Sequence, residues 1–285
     1  MASMVRTVRQ MQELAEELRR KGSRIGLVPT MGALHQGHLS LVDIAKKNSD
    51  RVVVSIYVNP TQFGRGEDFG KYPRTLESDT RLASERGVDF IFAPSDTEMY
   101  PEEHLAFVEV DKVSRILEGE FRPTHFKGVT TVVAKLFNVV KPHLAVFGQK
   151  DAQQAFIIKK MVRDLNFDVE IMVAPIVREK DWLAMSSRNV YLSSSERENA
   201  TVLYKSLKHA ERSMASGRRH LNELRTEMVR MIAEGAGGKI DYISFVDPAS
   251  FETVDEIGSL SEVLAVLAVR FGQTRLIDNM LLKVK

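Results

Sequence analysis

The chain contains no cysteine. That single absence excludes disulfides, thiolate zinc sites, iron–sulfur clusters and a cysteine nucleophile. An excess of one charge is also missing: 40 Lys and Arg face 38 Asp and Glu, for a net charge of +2. So even a balance gives no reason to invoke nucleic acid, and no nucleic-acid partner is expected. No apolar run reaches the ~20 residues that a membrane span needs, so no membrane partner is expected either. The first residues, MASMVRTVRQMQELAEELRRKG, lack the apolar core of a secretory signal and space apolar and charged residues as a helix does. A soluble, cytoplasmic protein is the expectation.

What is present is ordinary globular material. The chain has 285 residues, 44% of them apolar and 27% charged, enough for one large domain or two ordinary ones. Its first two-thirds alternates two kinds of segment. Short apolar, β-branched runs lie at Arg24–Thr30, Arg51–Val58, Val88–Pro94, His143–Gly148 and Phe167–Val177. Between them, helical patterns cover Gly37–Asn48, Thr75–Arg86, Gly128–Val140 and Asp151–Asp164. Strand–helix alternation of this kind predicts an α/β fold, a doubly wound parallel sheet of Rossmann type, over residues 1–177. Beyond Val177 two charged helices, Ser194–Ser216 and His220–Glu234, precede three strand-like runs. A smaller α+β domain is predicted there, over 178–285.

Doubly wound sheets bind ligands beyond the carboxyl ends of their strands. Chemistry is therefore sought in the loops after Val28, Val58, Phe147 and Val177. The first loop reads VPTMGALHQGHLSLV, with His35 and His38 around Gly37 where strand gives way to helix. A helix opening there supplies orphan N–H donors and a partial positive charge suited to phosphate. Imidazoles would add side-chain donors. The same spacing also suits a plain arrangement, with His38 as a helix cap and His35 as a polar loop residue. A metal site would need a third ligand, and none is evident.

Two other loops carry cations. In FGQKDAQQ, Lys150 follows a strand and can offer an ammonium to a phosphate, Asp151 suits a helix N-cap, and Gln154 lies one turn further on. In AMSSRNVYL, Ser186, Ser187 and Arg188 can clasp phosphate oxygens through hydroxyls and a guanidinium fork, or simply form a solvated loop. The long loop YVNPTQFGRGEDFGKYPRT presents Asn59 and Gln62 as neutral polar groups near a strand end. Loops of that length within a compact domain are usually binding loops or lids. Three phosphate-competent loops at the strand ends of one domain make chance a poor account.

These residues also carry a resemblance. PTMGALHQGH resembles the HxGH signature of the nucleotidyl-transferring α/β superfamily, and MSSRN resembles that superfamily's second, KMSKS-type loop. Together with VSIYVNPTQFGRGEDFGKYPRT, EGEFRPTHFKGV and KLFNVVKPHLAVFGQKDAQQ they resemble the pantoate–β-alanine ligase family across the whole first domain. The C-terminal domain resembles the family through its helix-then-sheet pattern and DYISFVDP. The resemblance implies adenylation of pantoate by ATP and Mg²⁺, with release of pyrophosphate, then attack by β-alanine to give pantothenate and AMP. It implies that Met31, Gly32, Ala33, Leu34, His35, Gln36, Gly37 and His38 contact ATP, with His38 as proton donor. Gly148, Gln149, Lys150, Asp151, Val177, Met185, Ser186, Ser187 and Arg188 would also line the nucleotide. Gln62, Gln154 and Asn59 would hold pantoate and β-alanine, the C-terminal domain would cover the nucleotide, and the chain would form a homodimer.

The residue types suit that chemistry. A carboxylate attacking an α-phosphate builds charge on a crowded phosphorus, so oriented cationic donors help more than a nucleophile. His35, His38, Lys150 and Arg188 are such donors, while Gln62 and Gln154 orient hydroxyls without repelling a carboxylate. An adenylyltransferase acting on a phosphate-bearing acceptor would need further basic residues where Asn59 and Gln62 stand. A non-catalytic nucleotide-binding protein would not need all four of these donors, and a tRNA synthetase would need an anticodon-reading domain. Two positions depart from the family pattern: Trp182 and Thr124 stand where glycine is usual. At Trp182 the backbone loses glycine's freedom, and the indole must pack on an apolar surface or hang over the nucleotide.

Overall fold

The computed structural model describes residues 2–284. The chain divides into two compact units. One comprises the residues up to Gln149 with Gln153–Pro175; the other comprises Lys150–Ala152 and the residues from Ile176 onward.

The first unit runs β1 (Ser3–Val5), α1 (Val8–Arg20), β2 (Ile25–Thr30), α2 (Gln36–Asn48), β3 (Arg51–Ile56), α3 (Leu76–Glu85), β4 (Phe90–Phe92), α4 (Asp96–Met99), α5 (Glu118–Phe121), α6 (His125–Val140), β5 (Leu144–Gly148), α7 (Ala152–Asp164) and β6 (Glu170–Ala174). Its six strands form one sheet in the order β1-β4-β3-β2-β5-β6, and every pairing is parallel. Parallel strands need both faces covered, and the side-chain alternation shows how that is met. Leu27, Val53, Phe92, Ala145 and Phe147 pack on one side with Met11 and Ala15 of α1, Val133 and Phe137 of α6 and Ile158 of α7. Their neighbours Val28, Val52, Val54, Ile91, Leu144 and Val146 pack on the other side with Val42 and Ala45 of α2 and Ala83 of α3. The sheet is thus doubly wound.

This order fixes where a ligand belongs. From β2 the chain winds outward through β3 and β4, then returns to place β5 on the opposite side of β2. The switch point lies between the carboxyl ends of β2 and β5, at Thr30 and Gly148. The histidine loop and the Gly148–Gln149 corner leave the sheet at that point.

The second unit runs α8 (Ser194–Ala200), α9 (Val202–Ala215), α10 (Leu221–Ala236), β7 (Lys239–Val246), β8 (Glu262–Phe271) and β9 (Thr274–Lys283), with an antiparallel β7-β8-β9 sheet. Leu203, Leu207 and Met214 of α9 and Leu224, Met228 and Ile232 of α10 close over Phe245, Val263, Ala265, Leu267 and Val269. No helix among the described residues is long and apolar enough to cross a membrane.

Helices α4 and α5 have no counterpart in the sequence reading, and three further segments differ from it in kind, start or continuity. Ser3–Val5, read there as part of a helical opening, is an edge strand because it finds β4 by parallel pairing, with Met4 opposite Ile91. Helix α6 starts at His125 rather than Gly128, because His125 is buried and its ring is tied into the protein. The helix expected over Ser194–Ser216 breaks at Thr201, whose N–H and hydroxyl both turn back to Glu198 O, tightening the end of α8.

Candidate active site

The loop from Met31 to His35 is held from behind by one carboxylate. Gly32 and Ala33 adopt left-handed backbone, at φ +79° and +49°. The turn aims two amides at Asp79 of α3: Leu34 N donates to Oδ1 at 2.8 Å and Ala33 N to Oδ2 at 3.0 Å. The hydroxyl of Thr75 donates to Oδ2 at 3.2 Å. Gly32 N donates to Thr30 Oγ1 at 3.2 Å. Asp79 is 1% exposed and serves as the shared acceptor for three donors, which makes it structural. The backbone donors at 32–34 are therefore engaged inside the protein.

The histidines form the next layer. His35 is the N-cap of α2 and His38 its N3 residue, and the two make a reciprocal capping box. His35 Nδ1 accepts from Gly37 N at 3.1 Å, and His38 Nδ1 accepts from His35 N at 3.4 Å. The rings stack with centroids 4.1 Å apart. A ring nitrogen that accepts a backbone N–H carries no proton itself, so in each neutral imidazole the proton sits on Nε2. The helix cap, which the sequence reading offered to His38 alone, is thus made by both rings through Nδ1. Gln36 is exposed, and Gly37, with both histidines, is half-buried.

Asn59 and Gln62 lie on the turn after β3. Asn59 is 1% exposed, and its amide is used inside the protein: Nδ2 donates to Gln62 Oε1 and to Gly128 O, both at 3.1 Å, while Oδ1 accepts from Tyr100 Oη at 2.9 Å and from the Thr61 hydroxyl at 2.9 Å. Gln62 Nε2 donates to Met31 Sδ at 3.0 Å, which joins this turn to the histidine loop. The main chain of Gln62 is gripped as well. Its carbonyl lies 2.9 Å from His125 Nδ1 and accepts from Arg122 Nη2 at 3.4 Å. Arg122 forks onto Glu67 at 2.8 and 2.7 Å and approaches His125 Nε2 at 3.2 Å. With Arg122 facing Nε2, His125 donates from Nδ1. Burial raises the Tyr100 hydroxyl above its ordinary pKa, so it stays a donor to Asn59.

The second unit holds the other named loops. Lys150 sits in a single 3₁₀ turn, Gln149–Asp151, that leads into α7; Lys150 is half-buried and Asp151 exposed. Lys150 O accepts from Asn279 Nδ2 of β9 at 3.0 Å. Val177 O accepts from Met185 N at 3.0 Å, and Arg178 bridges to Ala184 in antiparallel fashion, so residues 177–185 form a closed loop. Ser186 caps the following 3₁₀ turn, Ser187–Tyr191, its hydroxyl accepting from Arg188 N at 3.3 Å. Asn189 pins that turn, donating to Glu179 Oε1 at 2.6 Å and Ala184 O at 3.1 Å. Arg188 is half-buried. Trp182 has φ +71° and stacks on Tyr204, with centroids 5.1 Å apart and planes 6° from parallel. The indole thus stacks on one ring while remaining 57% exposed.

Gln154, half-buried in the first turn of α7, has a more deeply placed neighbour that the sequence reading passed over. Gln153 is buried, accepts from Glu118 N and donates to Val113 O and Ile116 O, which makes it structural. Asp79, Arg122, His125 and Asn279 were missed in the same way. Only EGEFRPTHFKGV, with an arginine and a histidine in one turn, carried a visible hint. Among the described residues, no group of three or more His, Asp or Glu side chains is placed to hold a metal ion.

Fold and geometry define a class: a doubly wound α/β protein with a histidine-capped helix at its topological switch point. The family model for pantoate-beta-alanine ligase matches residues 3–281. A pantothenate synthetase from Acetivibrio thermocellus is 51% identical over 281 residues, covering 99% of both chains. One from Thermoanaerobacter pseudethanolicus is 55% identical over 270 residues, 95% of each. Among solved structures, pantothenate synthetase from Thermus thermophilus superposes with a TM-score of 0.90 at 42% identity, covering 98% of each chain. Pantoate-beta-alanine ligase from Francisella tularensis, complexed with beta-gamma ATP and beta-alanine, gives 0.82 at 36% identity, with 99% of this chain and 98% of that one covered. This chain belongs to the pantoate–β-alanine ligase family.

Proposed function

We propose that the chain ligates pantoate to β-alanine at the expense of ATP, by way of a pantoyl adenylate. The pantoate carboxylate attacks the α-phosphorus and pyrophosphate leaves; the β-alanine amine then displaces AMP from the acyl carbon, giving pantothenate. The observation that carries this reading is the family match along nearly the whole chain.

In the residue-level reading, the Nε2–H groups of His35 and His38 donate to phosphate oxygens as charge moves onto the departing pyrophosphate, with His38 the proton donor. Capping fixes both rings beforehand, so no reorganisation is needed at that moment. The Lys150 ammonium and the Arg188 guanidinium supply further positive charge, and Ser186 and Ser187 supply hydroxyls. Met31, Gly32, Ala33, Leu34, Gln36, Gly37, Gly148, Gln149, Asp151, Val177 and Met185 line the nucleotide. Gln62 and Gln154 orient pantoate, and Gln62 also faces β-alanine. Asn59, buried beneath Gln62, aims that side chain. Assignment of the pantoate and nucleotide chemistry to 1–177, with 178–285 as a smaller α+β domain, belongs to the same reading, as do a homodimer and a cytoplasmic location.

Mg²⁺ would be held chiefly by the substrate's phosphates and water, since Asp151 is the one carboxylate among the residues named here, and it would supply charge shielding against the incoming carboxylate.

The test is ATP–pyrophosphate exchange. Exchange should require pantoate and Mg²⁺ and proceed without β-alanine, whereas AMP and pantothenate should form only when all substrates are present. Exchange that needs β-alanine, or runs equally without pantoate, would sink the adenylate route.

A further inference from the structure

Strand β9 reads TRLIDNMLLK, and in its middle two polar residues are nearly inaccessible: Asp278 is 2% exposed and Asn279 3%. Burying such groups costs free energy unless each finds partners, and these find specific ones. Successive strand residues point to opposite faces, so the pair serves two directions. Asp278 lies opposite Leu267, on the face packed by the second unit's helices, and Asn279 lies opposite Val266, on the other face.

On the first face, Asp278 takes both prongs of Arg178: Nη1 donates to Oδ2 at 2.6 Å and Nη2 to Oδ1 at 2.9 Å. Asn279 N adds a third bond to Oδ1 at 2.8 Å. Arg178 also donates to Trp182 O at 3.1 Å and lies over the Tyr204 ring at 4.5 Å. The arginine therefore fastens one end of the loop that leads to Met185–Arg188. On the second face, Asn279 Nδ2 donates to the carbonyl of Lys150 at 3.0 Å. A two-residue segment of one strand thus holds the main chain of Lys150 on one side and the root of the serine–arginine loop on the other.

We propose that Asp278 and Asn279 are positioning residues for adenylation, fixing Lys150 and the Met185–Arg188 loop in one register. The proposal rests on the assignment of Lys150 to ATP given above. Where the main chain stands sets the reach of an ammonium on four methylenes, and oriented charge is worth most when its position is set in advance. Asn279 anchors that main chain through the Lys150 carbonyl. Asp278 holds the loop bearing the second cation, and a lysine in place of Arg178 could not reproduce the two-pronged grip.

The test is a double-mutant cycle on Asn279 and Lys150, read as kcat and ATP KM for pantoate-dependent ATP–pyrophosphate exchange, with a thermal melt of every variant. Asn279→Ala should lower kcat about tenfold, the scale of one hydrogen bond, with little change in melting temperature. In the Lys150→Ala background the same substitution should change kcat by less than about twofold, because the group it positions is gone. If Asn279→Ala does not fold, Asn279→Ser, whose hydroxyl falls short of the Lys150 carbonyl, replaces it in the cycle. Wild-type kcat in the folded Asn279 variant overturns the proposal. So does an equal loss in both backgrounds, which marks a merely structural residue. A Lys150→Ala enzyme with wild-type turnover overturns instead the assignment of Lys150 on which the proposal stands.

Discussion

The imidazoles of His35 and His38 stack with their centroids 4.1 Å apart and their planes 29° from parallel, and each ring spends Nδ1 on a backbone N–H. Cap and catalyst are therefore separable by substitution. Asparagine places an acceptor close to the position of Nδ1 and nothing at Nε2. His38→Asn should keep its melting temperature yet lose roughly 10²–10³ in exchange rate, the scale of one oriented donor. His38→Ala should show the same loss of rate and, in addition, about 1 kcal/mol lower stability from the broken cap. Thermal melts paired with exchange assays check both halves. A folded His38→Asn enzyme of normal rate would remove Nε2 from the mechanism.

Asp79 makes a different kind of prediction, because it acts on stability first. Asp79→Ala leaves the Leu34 amide, the Ala33 amide and the Thr75 hydroxyl without their shared acceptor. Unsatisfied groups of this kind cost about 1–3 kcal/mol each when buried. A loss of several kcal/mol in denaturant unfolding is expected, together with a sharp rise in the ATP KM as the loop loosens. Thr75→Val removes only one donor and should cost less than about 1.5 kcal/mol. If the two substitutions cost the same, the carboxylate is not what holds the loop.

That contrast shows what a sequence can and cannot disclose. The strands of the parallel sheet were legible because burial on both faces leaves a run such as RVVVSI almost wholly apolar and β-branched. The ligand loops followed from strand–helix alternation and the rule that such sheets bind beyond the carboxyl ends of their strands, and His35 and His38 drew notice as unusual types at a helix start. Asp79 did not, since in TLESDT it reads as an ordinary charge near a helix start; its partners lie 45 and 46 residues earlier. Asn279 lies 129 residues from the carbonyl it holds. Edge strand β1 is three residues long and gains its identity only from β4. Where a residue's role is set by a partner far along the chain, local pattern carries no trace of it.

Gly128 lets helix α6 approach the turn at Thr61–Gln62 more closely than any other residue could. A Cβ at that position would lie 2.4 Å from Thr61 O and 2.5 Å from Gln62 N, both main-chain atoms. Gly128→Ala must therefore push the turn away, and Asn59, which also bonds Gly128 O, moves with it. Gln62 loses its aim. The pantoate KM should rise at least about tenfold while nucleotide binding, measured by titration without pantoate, stays the same. Equal damage to both affinities would mean that the turn supports the whole unit rather than Gln62.

Trp182 brings two opposing contributions together at one residue. Its backbone sits at φ +71°, where a side chain costs about 1–2 kcal/mol relative to glycine. Its indole lies parallel to Tyr204 at 5.1 Å, a contact worth about 0.5–1.5 kcal/mol. The two terms nearly cancel. Trp182→Gly removes both strain and stack, so its stability should stay within about 1 kcal/mol of the parent. Trp182→Ala removes the stack and keeps the strain, and should be destabilised by about 1–2 kcal/mol relative to the glycine variant. Because the indole is engaged by Tyr204, and Arg178 holds the Trp182 carbonyl whatever the side chain, the ATP KM of both variants should stay within about twofold of the parent, under half a kcal/mol. Urea unfolding of the three proteins separates the terms, and an ATP titration of each checks the last point. A glycine variant that binds ATP tenfold better would show that the strained loop, despite its packed indole, is held away from the geometry the nucleotide prefers.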